Sequence, residues 1–165
     1  MEGVVMTEDC AAVLASIMGE RFTLLKEFSA ATDLLLREGI DAVHENLERR
    51  DVLIVRLQET DARKDKALEA LSSAESTLLQ QVWNGEPPPD DAKESVCVLH
   101  LRALAVRTQA EILLQQEERV REMMADAASA LREEMRGHSG NRRALEYYRS
   151  LVPEPRSGLT LDENS

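Results

Sequence analysis

The sequence predicts an all-α fold: an elongated antiparallel three-helix bundle, or coiled-coil hairpin, with a short C-terminal amphipathic helix. Three observations carry this. Hydrophobic residues make up 43% of the 165 positions but aromatics only 3%, so the core is built from Leu, Ala, Val, Ile and Met. Charged residues make up 31% and glycines number only seven, a balance typical of long helices. Apolar residues also recur at alternate spacings of three and four over two long stretches.

Residues 1–7 read as a flexible start. Thr7 is a candidate cap for a first helix over about 8–38, with Glu8 and Asp9 where the helix dipole favours negative charge. Leu14, Met18, Phe22, Leu25, Phe28 and Leu35 follow helical spacing. Gly39 suits the left-handed geometry of a helix end.

A second helix is expected over about 41–83. Its seam runs through Ile40, Val43, Leu47, Arg50, Ile54, Leu57, Asp61, Lys64, Leu68, Leu71, Glu75, Leu78 and Val82. The polar pair Asp61 and Lys64 marks a place where the helix bends or its seam is wet. "NGEPPPDD" closes the segment, because three prolines cannot continue a helix. Asp90 or Asp91 then caps a third helix over about 91–136. Its seam is Ala92, Val96, Leu99, Ala103, Val106, Ala110, Leu113, Glu117, Val120, Met124, Ala127, Leu131 and Glu134. The two long helices would each span roughly 65–70 Å at 1.5 Å per residue. The short Pro-rich turn folds one back on the other.

Gly137 is read as the end of that helix. A separate C-terminal helix is expected over 138–152, capped by Ser139 or Asn141 and stopped by Pro153. Ala144, Leu145, Tyr148, Leu151 and Val152 share one face. Residues 153–165 read as a disordered tail with apolar points at Leu159 and Leu161.

The net charge of −11 argues against nucleic acid and anionic lipid as partners. No apolar run is long enough to span a membrane, and "MEGVVMTEDC" lacks the features of a secretory leader. The expected location is the cytoplasm, with Cys10 and Cys97 as reduced thiols in the core. Cys97 and His100, three apart, make half a zinc site without a second half. No Glu-x-x-His pair, phosphate-binding loop or nucleophile motif occurs, so neither a cofactor nor an enzymatic activity is expected. An apolar groove of the bundle could instead take an amphipathic helix. The candidate residues are Ala144, Leu145, Tyr147, Tyr148 and Leu151, which either contact a partner, dock on the protein's own bundle, or do each in turn.

Two stretches resemble the flagellar export chaperones of the FlgN and FliT type. In "LREGIDAVHENLERRDVLIVRLQETDARK", Leu47, Arg50, Leu53, Ile54 and Leu57 are similar to the family's leucine, basic residue, apolar pair and leucine after a glycine-containing break. In "GNRRALEYYRSL", Ala144, Leu145 and Tyr148 match the family's A-L-x-x-Y segment. The resemblance implies a cytoplasmic chaperone for the helical C-terminal region of a hook-associated or filament-cap protein. It would hold that client unassembled and deliver it to the export gate and ATPase of the type III apparatus, without covalent chemistry. It also implies that Leu145, Tyr148 and Leu151 compete with the client for one groove. The alternatives are a structural coiled coil forming an obligate oligomer, which leaves a homodimer open, and an acidic regulator of a basic protein.

Overall fold

A computed structural model describes the backbone of residues 2–151 and the side chains of residues 9–147 and 149. Four α-helices and one 3-10 turn account for nearly all of it, and no strand occurs among the described residues. The helices are α1 (Glu2–Glu38), α2 (Val43–Glu69), α3 (Ser73–Trp83) and α4 (Glu94–Leu151), with the 3-10 turn (Gly39–Ala42) joining α1 to α2. Two units are distinct, residues 2–124 and residues 125–151. The tail expected over 153–165 lies outside the described residues.

Helix α1 follows the sequence pattern closely. Leu14, Met18, Leu25, Phe28 and Leu35 are buried and Phe22 is half-buried. The helix begins at Glu2 rather than near Thr7. Thr7 therefore lies inside the helix rather than at its start. Gly39 ends α1 at φ 77°, where a side chain on any other residue would be strained.

The expected 41–83 helix is two helices. It passes Asp61 and Lys64 unbroken and stops at Glu69. Ser72 then starts α3 with a capping box: its hydroxyl accepts from the Glu75 amide at 3.4 Å, and the Glu75 carboxylate accepts from the Ser72 amide at 3.2 Å. These reciprocal bonds satisfy two amides that a helix start leaves unpaired. The end of α3 is equally well defined. Gly85 at φ 91° lets its amide donate to the Val82 carbonyl at 3.0 Å, and Glu86 donates to Gln81 at 3.0 Å. Those two bonds are the Schellman pattern of a glycine-terminated helix. The next turn accounts for a second difference. Ala92 donates to Pro89 at 3.0 Å, which places Asp90 and Asp91 in the middle of a turn. Neither caps α4, which begins at Glu94.

The third difference lies at the C-terminal end. Helix α4 continues through Gly137 and Gly140 to Leu151, so no separate helix starts after residue 137. Each glycine costs about 1 kcal/mol relative to alanine inside a helix. Such a cost is too small to break a helix whose flanks hold good formers: Leu131, Arg132, Glu133, Glu134, Met135 and Arg136 before it, and Arg142 to Glu146 after it. Ser139 bonds back to the Arg136 carbonyl at 3.0 Å, a bond that sits within a continuous helix.

Side-chain pairing sets the register within residues 2–124. Cys10 meets Ala67, Arg21 meets Asp61, and Asn46 meets Ala31. Partner numbers on α2 fall as those on α1 rise, so α2 runs back along α1. Arg102 meets Ala15 and Gln116 meets Ser29, so α4 runs in the sense of α1. Two apolar clusters form between the helices. One joins Leu14, Ile17 and Met18 to Leu68, Leu79, Val82, Val96 and Leu99. The other is small, comprising Leu24, Phe28 and Leu53 with Leu57 and Leu113 beside them.

Candidate helix-binding surfaces

The interior around the smaller cluster is unusually polar, and this decides which residues reach the surface. Arg50 donates to Glu117 at 2.6 Å and lies over the Phe28 ring at 4.7 Å. Thr32 donates to the other oxygen of Glu117 at 3.4 Å. Ser29 donates to the Gln116 carbonyl oxygen at 2.8 Å, and the Gln116 amide donates to Asp33 at 2.7 Å. The buried Asn46 donates to the Ala31 carbonyl. Further along, Arg21 donates to Thr60 at 2.7 Å and to Asp61 at 2.6 Å. Arg21 and Lys64 both approach the Trp83 ring, at 5.7 and 5.8 Å.

Helix α2 thus buries Asn46, Leu53, Thr60 and Leu68, with Arg50, Leu57 and Lys64 half-buried on the same side. The seam expected from the sequence overlaps this face only in part. Three of its aliphatic members face solvent: Ile40 is 49% exposed, Leu47 47% and Ile54 42%. Leu47 and Ile54 are seven residues apart on α2, a spacing that keeps them on one stripe, and Ile40 precedes them in the 3-10 turn. Val52 and Val55 are exposed as well. The shift has a physical cause. Arg50, Thr60 and the amide nitrogen of Asn46 find hydrogen-bond partners on α1 and α4, and a buried polar group that is paired no longer opposes burial. Spacing alone carried no sign of those partners.

A groove of about 530 Å³ opens between the early turns of α1 and the late turns of α2. Cys10, Val13, Ile17 and Ala67 supply its apolar surface, and Asp9, Ser16, Arg63 and Lys66 its polar surface. The Cys10 thiol donates to the Ala67 carbonyl at 3.3 Å. Burial, and secondarily the Glu75 carboxylate, push that thiol above the ordinary thiol range. It therefore behaves as a soft apolar wall rather than a nucleophile.

The residues singled out near the C-terminus lie in the unit 125–151. Ala144 is exposed, as are Leu145 at 63% and Tyr147 at 64%. The side chains of Tyr148 and Leu151 lie outside those described. Leu131 and Met135 on the same helix are also exposed, so the apolar spacing of α4 continues beyond Val120, its last buried residue among those described, onto open surface. This unit carries five arginines and four acidic residues in a chain of net charge −11.

The remaining candidates make local contacts. The Cys97 thiol faces the Ala92 carbonyl at 3.9 Å. His44 and His138 each meet a glutamate one turn away, at 3.4 and 3.8 Å. No group of three metal-ligating side chains occurs among the described residues, and no helix among them is long and apolar enough to cross a membrane. No protein-family model, curated protein or solved structure matches the chain.

Proposed function

We propose that this protein is a helix-binding chaperone of the flagellar type III export kind, acting in the cytoplasm as an antiparallel three-helix bundle. The observation that carries the reading is the aliphatic pair Leu47 and Ile54, left open on α2 because polar residues occupy the interior, with Ile40 exposed in the 3-10 turn just before it. An amphipathic helix can lay its apolar face along such a stripe. The stripe lies in the stretch that resembles the FlgN and FliT chaperones, and that resemblance names the client: the helical C-terminal region of a hook-associated or filament-cap protein. Capture would hide a self-assembling segment until the export gate and ATPase receive it. Ala144, Leu145, Tyr147, Tyr148 and Leu151 serve as a second contact or as a competitor for the client surface.

The test is capture of purified hook-associated and cap proteins by the full chain. The Leu47→Asp/Ile54→Asp double variant should bind at least about tenfold more weakly, since each interface anchor contributes on the order of 1 kcal/mol or more. Its helix content should be unchanged, because both side chains already face solvent. Undiminished capture by the double variant sinks the reading. A second reading, an obligate coiled-coil oligomer, draws on the exposed apolar spacing from Leu131 to Leu145. Sedimentation separates the two: a stable oligomer at nanomolar concentration favours the second.

A further inference from the structure

We infer that the α1–α2 groove at Cys10 is an anchor site for an amphipathic partner helix that presents aliphatic side chains to its floor and carboxylates to its α2 wall. The inference rests on the helix-binding reading and gives it a second site with a defined partner chemistry. The shape comes first. The lining positions on α1 are 9, 10, 13, 16 and 17, and those on α2 are 63, 66 and 67. Spacings of three and four place each set on one helix face, so the groove is a slot between two helices, about two turns long. Two partner side chains one turn apart, roughly 5–6 Å between their Cβ atoms, match that length. Val13 is 50% exposed although it stands beside the fully buried Ala11 and Leu14. The thiol of Cys10 is turned to Ala67, so at Cys10, Val13, Ile17 and Ala67 the slot has an apolar floor.

Charge then selects the partner. The chain is strongly acidic, yet the α2 wall of this slot is cationic. Arg63 is held by Glu20 at 2.6 Å. Lys66 makes no ion pair among the described residues, and neither does Asp9 on the opposite wall. A carboxylate on the α2 side of a bound helix gains Lys66, whereas a cation there meets both Lys66 and Arg63.

The probes are two synthetic amphipathic peptides with the same leucine row, one flanked by glutamates and one by lysines, titrated against the full chain by fluorescence anisotropy. The glutamate peptide should bind more tightly. Lys66→Gln should weaken it about two- to fivefold and Asp9→Asn tighten it by a similar factor, the scale of single exposed charges. Both effects should reverse for the lysine peptide. Val13→Asp should reduce binding of either peptide at least about tenfold, with helix content by circular dichroism unchanged. Equal affinity for the two peptides overturns the proposal, as does binding that ignores Val13→Asp. If Val13→Asp still captures a hook-associated or cap protein while Leu47→Asp/Ile54→Asp does not, the groove assignment fails and the chaperone reading stands. If neither peptides nor proteins bind, both fail.

Discussion

Arg50 and Glu117 show how much one side-chain pair can decide. The side chains are 13% and 28% exposed and meet at 2.6 Å, with Phe28 and Thr32 completing the surroundings. Losing either partner strands the other in a largely dry place. Glu117→Ala should cost on the order of 3 kcal/mol by urea denaturation, whereas replacing both with Met and Leu should come close to neutral. From the sequence, Arg50 and Glu117 look like flaws in apolar seams, and nothing in their spacing says that they face each other. Leu14, Met18 and Phe28 were legible because apolar burial needs no particular partner. Asn46, Thr60 and Gln116 were not, because burying them depends on which backbone or side-chain group lies opposite. Cys10 gives a prediction in pH. Its thiol is raised in the fold, first by burial and then by Glu75, so the unfolded thiol ionises at lower pH than the folded one. Stability is complete below the ordinary thiol range and falls as pH rises through it, by at most about 1.4 kcal/mol per pH unit. Cys10→Ala should flatten that alkaline slope in denaturation midpoints measured across the range.

Among the elements, the boundaries that sequence signals placed well are those with unambiguous backbone chemistry. Gly39 ends α1 and the Asn84–Gly85 turn ends α3, both through positive φ at glycine. The break before α3 was equally legible as Ser72-x-x-Glu75, a capping box, but the apolar spacing that continues through Leu68, Leu71 and Leu78 masked it. Ser72→Ala should cost about 1 kcal/mol, seen as faster hydrogen exchange in the first turn of α3. Gly137 illustrates the opposite error. A glycine terminates a helix where left-handed geometry is adopted, and composition alone cannot show that it is not. A Cβ added at Gly137 or Gly140 would meet nothing within 4 Å. Gly137→Ala and Gly140→Ala should each therefore stabilise the end of α4 by about 0.5–1 kcal/mol, read as slower amide exchange over 132–146.

For the whole molecule, both apolar clusters lie within residues 2–124, and the last buried position among the described residues is Val120. A chain ending at Met124 should keep the urea midpoint of the full protein; a large drop would show that residues beyond 124 contribute to the core. The layered interior has a further consequence, which concerns how the chain finds its alignment. Helices zipped only by leucines can slide by a heptad and still match, which creates trapped misaligned states. Here such a slip would set Arg21 against Ile54 or Leu68 instead of Asp61, and Arg50 against Ala110 or Met124 instead of Glu117. A slip of α2 past both neighbours strands two cations at once, at two different heights, and a slip of α1 or α4 alone strands one. The polar layers thus act as a combination lock on alignment, and beyond the slow isomerisation of the bonds at Pro87–Pro89 refolding should show no further slow phase of the kind an all-leucine seam would require.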